Sequence, residues 1–292
     1  MVFPSGYNLG VKMKAGRIIL FAVLFLCFSA CNYADLGGMF VVNESVNERF
    51  EQSIEANNLK GDFGFVTNTD DYQIVVVGDV HIGGTKNFDK AIEQIKVLNP
   101  IALVLDGDIC NGNGYDYDSL DQHLPEKADL MYFMLAGNHE LYFGGWKEYY
   151  KRFGSSSYYF TVKTPTANDF YICLDTGSGT LGSKQLEWFK ELLQQKRTDF
   201  RRCIVFTHNN LYRKRHTMST NPTNEELLVL TELFAKYKVD MVVTGHDHFK
   251  NVIKLGNTTH ITMNALHDGF IYAGYFQINI KEGQVSYEFV NL

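Results

Sequence analysis

The chain has 292 residues, 45% apolar and 21% charged, proportions that suit a globular protein with a sizeable core and exclude a largely disordered one. It carries 27 Lys and Arg against 33 Asp and Glu, a net charge of −6; without residues 1–30, which hold Lys12, Lys14 and Arg17 and no carboxylate, the balance is 24 to 33, about −9. That disfavours nucleic acid, whose backbone is bound by clustered Lys and Arg, but leaves room for a small phosphate ester drawn to a metal.

Lys14 and Arg17 precede an apolar run over 18–28 and then Ser29-Ala30-Cys31, which reads as a signal peptide ending at a cleavage point. So short a run does not comfortably span a bilayer, which takes roughly 20 residues. Phe28-Ser29-Ala30-Cys31 resembles the lipobox of bacterial lipoproteins, with Phe where Leu is usual. The resemblance implies lipidation of Cys31 and an exported protein anchored to a membrane of the bacterial cell envelope. Met13 is an alternative start. Beyond the anchor, Cys110, Cys173 and Cys203 are an odd number in apolar contexts and read as buried small hydrophobes rather than a disulfide framework.

Residues 31–71 are polar, with weak helical spacing over 46–57, and read as a tether with one docking helix. From residue 72 the pattern strengthens. The run 73–77 suits a strand buried on both faces, 88–98 has helical spacing closed by Pro100, and 101–105 is a second strand. Further strands are expected at 131–135, 202–206 and 240–243, and helices at 184–195 and 225–238. After 252 come strands alone, ending in 285–290. Alternating strands and helices followed by strands predict one α/β domain over 72–292, with two mixed sheets packed face to face and helices outside each, four layers in all.

Each of the five runs ends in residues able to bind a metal: Asp79-Val80-His81, Gly107-Asp108, Gly137-Asn138-His139-Glu140, Thr207-His208 and Gly245-His246-Asp247-His248. Strand ends are where a rigid sheet fixes ligands while the loop beyond stays free. Imidazole with carboxylate suits Mn, Fe, Zn or Ni rather than a thiolate site.

This string resembles the calcineurin-like metallophosphoesterase family, whose order is Asp-x-His, Gly-Asp, Gly-Asn-His-Asp/Glu, His, Gly-His-x-His. The resemblance implies two divalent metal ions, one held by Asp79, His81, Asp108 and His248, the other by Asp108, Asn138, His208 and His246. Asp108 would bridge them. Two such ions share a water and lower its pKa, leaving a hydroxide to attack phosphorus. His139 is implied as a catalytic residue that does not bind metal, oriented by Asn111 where many relatives have Asp. Asn111 can accept a hydrogen bond but cannot hold an imidazolium as a carboxylate would. Cys110 stands where purple acid phosphatases need a Tyr ligand.

Glu140 and Asp247 read as hydrogen-bonding or capping groups beside the ligands, and His123, His216, His260 and His267 as structural or solvated, His267 being the one nearest in pattern to a site. Arg213, Lys214 and Arg215 follow His208 in a basic loop, either a solvated surface or a rim that meets a charged substrate. The leading function is hydrolysis of phosphomonoesters or small phosphodiesters. The alternative is a lipoprotein that binds metal and keeps the fold as a binding module.

Overall fold

The structure, a computed structural model, describes residues 42–61, 63–212 and 223–292. They form one compact unit, Val42–Leu292. In chain order the elements are α1 (Val46–Lys60), β1 (Phe63–Val66), β2 (Tyr72–Val77), α2 (Lys86–Leu98), β3 (Ala102–Asp106), α3 (Gly114–His123), β4 (Tyr132–Leu135), α4 (Trp146–Phe153), β5 (Tyr158–Lys163) and β6 (Asn168–Leu174). Then follow α5 (Gly182–Lys196), β7 (Arg202–Thr207), α6 (Asn224–Lys236), β8 (Met241–Thr244), β9 (Asn251–Leu255), β10 (Thr258–Thr262), β11 (Gly274–Lys281) and β12 (Gln284–Asn291).

The strands form two mixed sheets, one ordered β1-β5-β6-β7-β8-β10-β9 and the other β12-β11-β2-β3-β4. Alternation along the strands builds three apolar layers. Ile74, Val76, Ala102 and Val104 face Tyr171, Ile204, Phe206 and Val243 of the opposite sheet, all fully buried. Val75, Val77, Leu103 and Leu105 point the other way, onto Phe88, Ala91 and Ile95 of α2. Phe170, Ile172, Val205 and Val242 pack under Phe189 and Leu193 of α5 and Leu230 and Phe234 of α6. The continuous apolar runs thus follow from burial on both faces, and the four-layer αββα sandwich expected from the sequence is present.

The docking helix expected over 46–57 is present as α1, and the strand β1 that follows it was not foreseen. Ser45 and Glu48 form a reciprocal capping box that starts α1. Arg49, fully buried, donates from Nε to Asp175 Oδ2 at 2.8 Å and from Nη2 to Asp175 Oδ1 at 3.1 Å. β1 then pairs in parallel with β5, Phe63 opposite Phe160. One buried cation with a fixed partner makes α1 part of the packed unit, a role the weak apolar periodicity of 46–57 did not convey. Residues 1–30, Cys31 and the rest of the chain to Val41 lie outside the described residues, and no described helix is long and apolar enough to cross a membrane. Cys110, Cys173 and Cys203 are buried free thiols.

His260 on β10 is 8% exposed, its ring 4.7 Å from that of Tyr212 and 5.8 Å from that of Phe234. Burial pulls its pKa down from 6.5 to about 4. Between those values the unfolded chain binds a proton that the native state refuses, so stability falls as pH drops through this window. At pH 5 the expected loss from this group is about 2 kcal/mol relative to pH 7.5. Urea titrations at the two pH values should show His260→Leu losing less stability than the parent by that amount.

Candidate metal centre

The parallel strands β2, β3 and β4 of one sheet and β7 and β8 of the other run out at a common edge, where their loops are stitched by backbone hydrogen bonds. Asp79 N–H donates to Gly107 O at 3.1 Å, His81 N–H to Asp108 O at 2.9 Å and Gly245 N–H to His208 O at 2.9 Å. Asp79, His81, Asp108, His246 and His248 all have positive φ, between 48° and 67°. They are five of the nine non-glycine residues in that region among those described, and side chains enter it at a conformational cost. Such strain clusters at functional sites because it aims side chains inward. Two of the flanking glycines are dictated by proximity: a Cβ on Gly137 would lie 2.2 Å from Asp108 Oδ1, and one on Gly245 2.6 Å from Asp79 Oδ2.

The side chains meet. Asp79, His81 and His248 offer atoms within 4.8 Å of one another, as do Asp108, His208 and His246, and as do His81, Asp108 and His139. His248 Nε2 is 3.4 Å from Asp79 Oδ1, His81 Nε2 is 3.3 Å from His248 Nε2, and His208 Nε2 is 3.1 Å from Asp108 Oδ2. Asp79, Asp108 and His208 are essentially inaccessible to water.

Hydrogen bonds fix which nitrogen faces the site. His208 Nδ1 is 2.8 Å from the Asp106 carbonyl oxygen, which can only accept, so Nδ1 carries a hydrogen and Nε2 is the nitrogen turned toward the Asp108 carboxylate, where it can take a proton or a metal. Its 3.1 Å separation from Asp108 lacks hydrogen-bond geometry, and Nε2 counts among the buried polar atoms without a partner. Asn138 Oδ1 is another, its Nδ2 donating to Tyr142 Oη at 2.9 Å. Opposed acceptors at such distances call for a cation. The donor set, imidazole and carboxylate with one amide oxygen, fits divalent first-row metals.

Without a metal the positive charge comes from protons. Burial depresses the His208 pKa, but Asp108, Asp79 and Asp106 outweigh it and push it up to about 10. Burial likewise works to raise the Asp108 carboxyl, yet His208 and His139 hold it well below the ordinary range.

Asn111 donates from Nδ2 to Ile82 O at 3.1 Å, which fixes its Oδ1 as an acceptor. That oxygen lies 3.1 Å from His139 Nδ1 and 3.3 Å from His81 Nδ1, so it orients both rings with Nε2 toward Asp108. Burial keeps the His139 pKa below its usual value against the pull of Asp108. Its own N–H donates to Asp108 Oδ1 at 2.8 Å.

Glu140 is wholly buried and accepts four backbone N–H groups: Asp108 and Gly137 on Oε2 at 2.7 Å each, Ile109 and Cys110 on Oε1 at 2.7 and 2.8 Å. It clamps the Asp108 loop to the Asn138 loop. Burial and the charge of Asp108 raise its pKa to about 7, while the amides favour the ionised form. Asp247 accepts from Asn210 Nδ2 at 2.7 Å. Of the other histidines, His123 pairs with Asp89 at 2.6 Å, remote in sequence from any ligand, while His267 stands at the rim, its ring 5.5 Å from that of His248 and 6.1 Å from that of His81. Arg213, Lys214, Arg215 and His216 lie outside the described residues.

Three contributors were not singled out from the sequence. Asp106 supplies the carbonyl that sets the His208 tautomer, and its own buried carboxyl, without a partner, has its pKa driven well up by burial. Tyr142 braces Asn138, and Asn210 holds Asp247. The Asp-Gly-Asp triplet and the Tyr four residues after Asn138 were the available signals.

The sequence profile of the calcineurin-like phosphoesterases matches residues 72–250, more than half of the chain. The chain belongs to this family. Among solved structures it is similar to a dimetal phosphatase from Danio rerio (14% identity, 75% of this chain and 96% of that one, TM-score 0.60). It is equally similar to GAP50, the anchor in the inner membrane complex of Plasmodium (15%, 76% and 84%, TM-score 0.60). Purple acid phosphatase PPD1 from yellow lupin seeds follows (16%, 77% and 52%, TM-score 0.56). At these identities the likeness concerns the fold. A comparison with curated protein sequences returns no match.

For this phosphoesterase, Glu140→Gln turns an amide N–H₂ toward two of the four backbone donors. Each orphaned amide costs roughly 1–3 kcal/mol, and loss of such a support lowers metal affinity about 10–100-fold. Urea midpoints and metal titration should show both losses, and unchanged values would exclude the clamp. A metal binding His208 at pH 7 must expel its proton, so affinity should rise with pH. Calorimetry in two buffers of different ionisation enthalpy should register about one proton released per protein, fewer after His208→Asn.

Proposed function

We propose that the protein hydrolyses small phosphate esters, monoesters or diesters, at a centre of two divalent metal ions. The observation that carries this is the buried Nε2 of His208, turned to the Asp108 carboxylate 3.1 Å away, with Asn138 Oδ1 buried and unpartnered in the adjoining loop. Asp79, His81 and His248 would hold one ion, Asn138, His208 and His246 the other, and Asp108 both. Bound there, the ions would acidify a shared water and neutralise phosphate oxygens.

The chain's own contribution is orientation and one proton. Asn111 aims His139 so that Nε2 faces the reaction space 3.9 Å from Asp108 Oδ2. Neutral in the free protein, His139 gains a proton when an anionic phosphoryl group docks beside it, and that proton is available to the leaving oxygen. Beyond the ligands, the rings continue outward from His248 through His267 to Phe270, Phe249 and Tyr272, with centroid steps of 5.2–5.8 Å. Phe249 and Tyr272 are half exposed, a wall suited to an apolar or aromatic leaving group. Arg213, Lys214 and Arg215 are proposed from the sequence as contacts to a charged substrate.

Asp108→Ala should abolish hydrolysis and reduce occupancy of both metals, whereas His139→Ala should lower turnover roughly 10²–10⁴-fold with two metals retained. Metal counting beside kinetics separates the two, and equal metal loss would make His139 a ligand. A protein that binds metals yet cleaves no mono- or diester would instead be a binding module.

We also infer from the sequence an exported lipoprotein anchored through Cys31, since several acyl chains hold a membrane firmly where one does not. Cys31→Ser should release the protein from the membrane fraction or block its processing. Retention at unchanged mass would make residues 18–28 an uncleaved anchor.

A further inference from the structure

A cavity of about 650 Å³ shares no residue with the metal centre. Part of its wall is built by the stretch of chain that precedes the family match: Ile54 and Lys60 of α1, Gly61 after it, and Phe63 of β1. Another part comes from Phe133 of β4, Tyr158 of β5 and Trp188 of α5. The volume lies within the range of small-molecule sites, roughly 300–1,000 Å³, and the aromatic lining is of the kind that binds apolar bodies.

The polar groups at this cavity are mostly of one sign. Among the described residues, Lys60, Lys127 and Lys196 line it against one carboxylate, Glu191, in a chain whose net charge is −6. Lys60 Nζ is held by the Phe153 carbonyl at 3.2 Å, and the Lys127 ammonium lies 4.6 Å from the centroid of the Tyr132 ring. Neither has a carboxylate partner among the described residues. Partial burial, and then the charge of Lys60, hold the Lys127 amine below its ordinary pKa. Two cations close enough to repel, each set against aromatic or backbone surface, are complementary to an anion placed between them.

We propose that this cavity binds a single-chain amphiphile with an anionic head, the head between Lys60 and Lys127 and the chain along Phe133, Tyr158 and Trp188. It is a second site, independent of the phosphoesterase centre. Its acceptance of a head and a tail follows from two cations in a cavity that also presents the apolar surfaces of Phe133, Tyr158 and Trp188.

Trp188 lines the cavity, whereas the other tryptophan, Trp146, is buried with its Nε1 donating to Gln52. Intrinsic fluorescence of the full chain therefore reports on occupancy. The probe is dodecanoate below its micellar concentration, which carries no phosphate ester, with dodecanol and dodecyltrimethylammonium as neutral and cationic counterparts. Saturable binding of dodecanoate is expected, with affinity reduced roughly tenfold by Lys127→Met or Lys60→Met and kept by Lys127→Arg. Inorganic phosphate should not displace it, and hydrolysis at the metal centre should be unchanged in the lysine variants.

Equal affinity for dodecanol, indifference to both lysine substitutions, or no saturable signal would overturn the proposal. So would a response to anionic vesicles but not to monomeric dodecanoate, which would make the feature a flat membrane-facing surface.

Discussion

Two carboxylates, Asp79 and Asp108, sit almost free of water within reach of five imidazoles, and the rest of the edge of the sandwich is arranged around that concentration of charge. Buried like charges do not persist unless something positive lies between them. Here protons on the histidines serve when no metal is present, as the raised pKa of His208 and the depressed one of Asp108 attest. The backbone bears part of the cost. Five of the candidate metal-binding residues are held left-handed, and the strands behind them, buried on both faces, are what keep those turns from relaxing.

Two side chains that bind no metal organise the rest. Glu140 gathers four amides from two loops, so the Asp108 and Asn138 strand ends cannot shift independently. Asn111 serves two rings at once. Because it is uncharged, it fixes orientation without stabilising an imidazolium, and the proton affinity of His139 is left to burial and to whatever anion approaches.

Much of this was legible in the sequence because its signals are local. A continuous apolar run followed by Gly and then a candidate ligand marks a buried strand and its functional end together, and β2, β3, β4 and β8 carry that signature, while β7 passes through Thr207 straight to His208. β6 is buried as deeply and β5 less so, but β6 is followed by Asp175-Thr176 and β5 ends in Lys163, so a search for metal-capable strand ends passes over them. α3 buries Asp116, Tyr117 and Leu120 without a clean apolar period, and α4, though Trp146, Tyr149, Tyr150 and Phe153 share one face, is only eight residues long. The role of α1 was hidden for a different reason. Its key contact is an arginine, which reads as surface in a sequence, and the partner is 126 residues away.

That contact also ties α1 to the candidate metal centre. Asp175, which receives Arg49, accepts the Gly177 N–H at 2.9 Å as well, and a Cβ on Gly177 would lie 2.7 Å from the Gly137 carbonyl oxygen, one residue before Asn138. The neighbouring Thr176 hydroxyl bonds Thr207 and accepts from Asn209 N–H, on either side of His208. Arg49 is one of several anchors of α1, beside Gln52, which accepts from Trp146 Nε1 at 2.6 Å, and Ser53, whose hydroxyl accepts from Ser156 N–H at 3.1 Å. A helix that lies ahead of the family match thereby buttresses, from behind, the loops that carry Asn138 and His208.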